Sequence, residues 1–182
     1  FGDRLASVTF NSLSQWEKLG KKASTRTRRG LRINPQLSFV RDQRYDPCRR
    51  NSKLGVPVHD LAELARSDPG RLEGIDGLHF HTNCDETDFA SLLATVRHIE
   101  DVIPHVLERM DWINLGGGYL FTEANDLVDF FDGAAIFRQR FGLDVFIEPG
   151  AALVRRAGTI EATVHDILEG DNLPIAVLDT AV

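Results

Sequence analysis

His79 and His81 stand one residue apart in Gly77-Leu78-His79-Phe80-His81-Thr82-Asn83-Cys84, where a short apolar run turns abruptly polar. On a strand, residues two apart point to the same side. Imidazoles paired in this way, with a thiolate three residues on, suit a zinc ion bound by His79, His81 and Cys84. The competing reading is one packed histidine and one that contacts a ligand. Gly116-Gly117-Gly118 follows another apolar run, Trp112-Ile113-Asn114-Leu115. Without Cβ atoms, such a triplet lets backbone amides come close to an anion, although a plain turn uses glycines too. A third run, Val145-Phe146-Ile147, delivers Glu148-Pro149-Gly150. A carboxylate buried at a strand end calls for a cationic partner, and burial of Glu148 is the expectation here. Imidazole, glycine triplet and carboxylate at three successive strand ends point to one shared pocket, because parallel α/β folds collect their chemistry there.

The intervening sequence supplies elements to hold those strand ends. Ser7–Phe10 reads as a strand. Ser12 with Gln15 forms a capping box for a helix through about Ala23, with Leu13, Trp16 and Leu19 facing inward. Residues 30–35 form the next strand, stopped by Pro35. Residues 36–56, rich in Arg, Asp and Pro, read as a long loop. His59–Ser67 is a short helix, stopped by Asp68-Pro69-Gly70. The longest helix is predicted from Glu86 to about Arg109. Phe89, Leu92, Leu93, Val96, Ile99, Val102, Ile103, Val106, Leu107 and Met110 recur in it at three- and four-residue steps. Asp85, Glu86 and Asp88 would sit in its first turn, and Pro104 would kink it. The helix after the glycine triplet is expected from near Glu123, spanning Asp126–Phe141. The alternation of strand and helix then gives way to two strands, Thr159–Leu168 and Pro174–Leu178, joined by a hairpin turn at Glu169–Asn172. The fold class is therefore α/β. A barrel-type domain over 1–155 hands over to a β domain that begins at 156–182.

Composition limits the possibilities. The chain has 182 residues, 42% hydrophobic and 26% charged, enough for one core. A net charge of −6 argues against a nucleic-acid-binding surface. The basic clusters at 18–32 and 41–53 read as a solvated helix end and loop. Cysteines number two, Cys48 and Cys84, too few for a disulfide framework, so a reducing, cytoplasmic setting is expected. No apolar run is long enough to span a bilayer, and no leader segment opens the chain. Beginning at Phe1 and stopping after an apolar run, the chain reads as a piece of something longer.

Taken in order, Leu31-Arg32-Ile33-Asn34-Pro35, Ser52-Lys53-Leu54-Gly55, Gly77-Leu78-His79-Phe80-His81, Gly116-Gly117-Gly118 and Ile147-Glu148-Pro149-Gly150 resemble a known set. They look like the barrel half of the alanine-racemase-fold (fold-type III) pyridoxal-phosphate decarboxylases. The resemblance runs from about Val8 to the end. Tyr45-Asp46-Pro47-Cys48, the form His79-Phe80-His81 followed by Cys84, and Leu178-Asp179-Thr180 are most similar to the branch acting on the carboxylated polyamines carboxynorspermidine and carboxyspermidine.

That resemblance implies a partial (β/α)8 TIM barrel of the alanine racemase/ornithine decarboxylase type entering a C-terminal β domain. It also implies a pyridoxal 5'-phosphate cofactor, a polyamine acid substrate and a homodimer when the protein is whole, with no nucleic-acid or membrane partner. His81 would stack on the pyridine ring and His79 would pack behind it. Gly116, Gly117, Gly118 and Gly150 would cradle the phosphate, with Cys84 where relatives place a serine. Glu148 would hold the ring nitrogen protonated, which makes the ring an electron sink for decarboxylation. Arg32 and Lys53 match supporting positions, and Asp179 would contact the distal amine of the substrate. No resident metal is implied. The lysine that joins the cofactor in this family would lie upstream of Phe1, so the piece alone is expected to be inactive. Ala151 stands where ornithine-type relatives carry arginine. A diaminopimelate-type decarboxylase and a non-catalytic cofactor-binding relative remain the alternatives, beside the zinc reading.

Overall fold

In the computed structural model, which describes residues 4–40, 42–124 and 126–180, five strands run parallel in the order β1-β2-β4-β5-β6. These are β1 (Ser7–Phe10), β2 (Arg28–Asn34), β4 (Gly77–His79), β5 (Trp112–Asn114) and β6 (Asp144–Phe146), and β3 (Val56–Pro57) adds to the end of β2. Helices α1 (Leu13–Leu19), α2 (Val58–Ser67), α3 (Ala90–Val102), α4 (Pro104–Leu107) and α5 (Val128–Ala135) connect them. The chain divides between Ala152 and Leu153 into two compact units. The second holds an antiparallel hairpin of β7 (Val164–Leu168) and β8 (Ile175–Leu178), as the alternation had predicted. A short helix, α6 (Gly150–Val154), precedes it and was not foreseen.

Strand alternation assigns the two faces of the parallel sheet. Leu31, Ile33, Leu78, Phe80, Ile113 and Leu115 point to the helix side and are at most 1% exposed. The same core takes in Leu92, Val96, Ile99 and Ile103 from α3 and its C-cap, and Leu61 from α2. Removing one such side chain to alanine costs about 2–5 kcal/mol. On the opposite face the register aligns Gly30, Gly77 and Trp112. A Cβ at Gly77 would fall 2.0 Å from the Trp112 ring and one at Gly30 2.5 Å from it, so the two glycines make room for the indole. Asp76 Oδ1 fastens this layer, accepting from the Arg29 amide (2.6 Å) and from Trp112 Nε1 (2.8 Å).

Several expected elements are shorter or differently placed. Ser12 caps α1 by accepting from the Gln15 amide, whereas the Gln15 side chain reaches the Asn11 amide, one residue before the cap. That helix is α to Leu19 and continues as a 3-10 turn over Gly20–Lys22, and Leu19 is exposed rather than inward-facing. The helix predicted from Glu86 begins at Ala90 and is broken, not merely kinked, at Ile103 before Pro104. Glu86 instead bridges to Tyr119: its amide donates to Gly118 O and its carbonyl accepts from the Leu120 amide. The first turn of α3 therefore carries no acidic residue. The helix expected from near Glu123 starts at Val128 and ends in a π-turn over Ile136–Arg140. The loop at 36–56 holds a 3-10 turn, Gln43–Tyr45, and its end is pinned by Asn11, which donates to Lys53 O and accepts from the Gly55 amide.

Candidate active site

One register row beyond the Trp112 layer, Arg32, His79 and Asn114 sit side by side at the carboxyl ends of β2, β4 and β5, with Phe146 of β6 next to them. Two residues further along their strands come His81, Gly116 and Glu148. Both histidines thus leave the sheet on the face opposite the helix-packed Leu78 and Phe80. Arg32, His79, His81 and Glu148, joined by Asn83 and Cys84, line an open cleft of about 390 Å³. Its outer wall comes from the loop after β2: Arg44, Tyr45, Pro47 and Arg49. That basic stretch, read from sequence as a solvated loop, is solvent-exposed at Arg44 and Arg49 and also borders the site.

Glu148 departs from expectation. Its side chain is 56% exposed, not buried, and opens into the cleft. Asn114 Nδ2 donates to its Oε1 at 2.9 Å, while the backbone is fixed by Glu148 N donating to Gly116 O. His79 Nε2 lies 3.9 Å from the same carboxylate oxygen and has no hydrogen-bond partner, although His79 is 91% buried. Burial pushes the His79 imidazole down to about 4, against the pull of Glu148 and helped by Arg32 and His81, so the two form no ion pair at neutral pH. Burial, with the Arg32 charge, likewise lowers His81, and Glu148 and the Asn83 backbone only partly offset this. His81 Nδ1 accepts from the Gly117 amide at 3.2 Å, which leaves the proton on Nε2 of the neutral ring. Arg32 is half-buried and its guanidinium is held below its ordinary value by that burial.

The glycine triplet does something the sequence did not reveal. A Cβ at Gly116 would fall 2.4 Å from Phe80 O, one at Gly117 2.2 Å from Glu148 O, and one at Gly118 2.1 Å from Asn83 O. Gly116 and Gly118 also take positive φ, 72° and 89°. The triplet therefore lets the loop after β5 nest between those after β4 and β6. The Gly116 amide donates to Asn114 Oδ1, the Gly117 amide to His81 Nδ1 and the Gly150 amide to Glu148 O. Of the four glycines read as an anion cradle, three already spend their amides inside the protein. Cys84 is exposed on the cleft wall. Asp179 lies in the second unit, where its Oδ1 accepts from the Thr163 amide. The convergence needed for a zinc site does not occur: among the described residues, no three His, Cys, Asp or Glu side chains come together to hold a metal ion. Asn114, Arg44 and Arg49 were not singled out from sequence. For Asn114 the available signal was its place directly at the end of a strand whose neighbours carry His79 and Glu148.

The model of the family described as "Pyridoxal-dependent decarboxylase, pyridoxal binding domain" matches residues 3–155. The chain belongs to that family. Among similar proteins of this decarboxylase family is the carboxynorspermidine/carboxyspermidine decarboxylase of Herminiimonas arsenicoxydans, 34% identical over 96% of this chain and 46% of that protein. Another is the carboxyaminopropylagmatine decarboxylase of Synechocystis sp., 36% identical over 96% of this chain and 44% of that protein. The solved structure of carboxynorspermidine decarboxylase from Campylobacter jejuni, complexed with norspermidine, superposes with a TM-score of 0.73. It is 32% identical and covers 96% of this chain and 43% of that chain. A diaminopimelate decarboxylase at 21% identity and a TM-score of 0.72 shares the fold. The chain thus spans just under half the length of the curated relatives it matches.

The residues of the cleft fit the cofactor named by the family. The guanidinium groups of Arg32 and Arg49 suit a phosphate, whereas that of Arg44 is paired with Asp42. The Glu148 carboxylate suits a protonated ring nitrogen, and the buried Nε2 of His79 lacks a partner that a ligand group can supply. The cleft volume is in the range of small-molecule sites.

Proposed function

We propose that the whole protein containing this chain is a pyridoxal-phosphate-dependent decarboxylase of a carboxylated polyamine, carboxynorspermidine or carboxyspermidine. The observation that carries this reading is the convergence of Arg32, His81 and Glu148 on one cleft, within a chain whose similarity to such decarboxylases covers 96% of its length. When bound, the cofactor supplies an electron sink for the pair left as carbon dioxide departs. This chain's residues supply its setting. Glu148 offers an anionic oxygen to hold a proton on the ring nitrogen. His81, neutral and anchored at Nδ1 by the Gly117 amide, offers a flat face for stacking on the ring. Gly118, Cys84 and Arg32 are assigned to the phosphate. Gly116, Gly117 and Gly150 shape that end of the site by backbone packing.

The proposal extends to a cytoplasmic homodimer with no nucleic-acid or membrane partner. Two free cysteines support the reducing compartment and a net charge of −6 the lack of a nucleic-acid partner, while the homodimer rests on the family resemblance. The 36% identity to carboxyaminopropylagmatine decarboxylase favours a second reading, in which the carboxylated chain ends in an agmatine-type group. Carbon dioxide release by the whole protein from carboxynorspermidine, carboxyspermidine, carboxyaminopropylagmatine and diaminopimelate decides among them. Turnover of diaminopimelate alone would overturn the polyamine assignment.

A further inference from the structure

Asn114 is half-buried at the end of β5 and uses both ends of its amide. Oδ1 accepts from the Gly116 amide at 2.8 Å, and Nδ2 donates to Glu148 Oε1 at 2.9 Å. The same Gly116 receives Glu148 at its carbonyl, through the Glu148 amide at 2.8 Å. Asn114, Gly116 and Glu148 therefore close a ring of three hydrogen bonds that ties the glycine turn to the carboxylate. Glu148 is the exposed member. Its long side chain would sample several rotamers in solvent, and no other hydrogen bond to its carboxylate is made among the described residues. A single donor on a short, register-fixed side chain selects one of them.

We infer that Asn114 is a positioning residue, which aims the Glu148 carboxylate into the cleft and holds it in one rotamer there. The inference rests on the proposed role of Glu148 and deepens it. A donor held against one carboxylate oxygen fixes the direction of the group and leaves the other oxygen for a ligand. Asn114 touches no reacting atom itself.

The substitution Asn114→Asp separates its two duties. Aspartate still accepts from the Gly116 amide, so the turn persists, but it presents an oxygen where Glu148 needs a donor. In the whole protein, this variant is expected to bind pyridoxal phosphate about tenfold more weakly. Its kcat should fall about tenfold or more, with KM changed less than about threefold, as befits loss of one charge-assisted hydrogen bond. The double variant Asn114→Asp/Glu148→Gln reverses donor and acceptor and restores the bond. It is expected to regain the unfolding midpoint of the cofactor-free protein and its cofactor affinity, while turnover stays as low as in Glu148→Gln, because the charge has moved off the ligand. Wild-type kcat in Asn114→Asp, or a double variant no more stable than Asn114→Asp alone, would overturn the inference. Full turnover in Glu148→Gln alone would instead remove the proposed role of Glu148. The midpoint of the cofactor-free swapped pair would still report whether the two side chains interact.

Discussion

His79 Nε2 lies 3.9 Å from Glu148 Oε1, yet burial keeps the imidazole neutral, so the two side chains face one another as a neutral ring and an anion. A charged His79 would neutralise Glu148, the one carboxylate among the described residues that line the cleft. By staying uncharged, it leaves Glu148 available to a cationic ligand group.

That relationship makes folding stability depend on pH in a defined direction. The folded-state value of His79, about 4, lies below its unfolded value of 6.5, so the unfolded chain binds more protons between the two. Stability is therefore complete above about pH 6.5 and is lost as pH falls towards 4, by up to about 3 kcal/mol from this group. Denaturant unfolding at pH 7.5 and pH 5 should show the decline. His79→Asn should flatten it, whereas an unchanged slope in that variant would assign it to other groups.

Glu148→Gln in the whole protein is expected to retain bound cofactor and to lower kcat by about a hundredfold or more. Steady-state assays with cofactor occupancy measured by absorbance check both halves. Unchanged turnover would remove Glu148 from its role.

Gly118 and Gly142 share a positive φ, 89° and 70°, but not their surroundings. A methyl at Gly118 would meet Asn83 O at 2.1 Å, whereas at Gly142 nothing lies within 4 Å. Gly142→Ala should cost about 1 kcal/mol, from backbone conformation alone. Gly118→Ala should cost about 3 kcal/mol or more and weaken cofactor binding, because a loop must move as well. Equal losses in the two would contradict the nested-loop account.

Asp76→Ala should destabilise the barrel by about 2–4 kcal/mol, since it orphans the Arg29 amide and the Trp112 indole N–H together. Asp76→Asn keeps an acceptor and should cost less. Thermal unfolding of the pair tests this, and equal midpoints would show that Asp76 does not fasten the layer.

What could be read in the sequence was local. The Ser12 cap, the apolar stripe of α3 and the hairpin of β7 and β8 each depend on neighbours within a few residues, and each is present. Glu86 to Phe89 suited a helix just as well, but a non-local bridge from Glu86 to Tyr119 took the backbone bonds first. Leu19 and Glu148 failed for a related reason: exposure is decided by what packs opposite, and periodicity carries no record of that. The glycine triplet was found by composition. Its contacts with Phe80, Glu148 and Asn83, from three loops distant in sequence, determine what it does, and those contacts consume amides assigned to an anion. Arg44 and Arg49 are the solvated charges their sequence suggests, but that they border the cleft depends on the loop's path, which is a tertiary fact.

The most direct test of the account is an absorbance spectrum of the whole protein with pyridoxal phosphate, before and after borohydride. A visible band is expected, which borohydride abolishes while fixing the cofactor to the protein. Absence of any band in correctly folded protein would contradict the assignment of Arg32, His81 and Glu148 to a cofactor site.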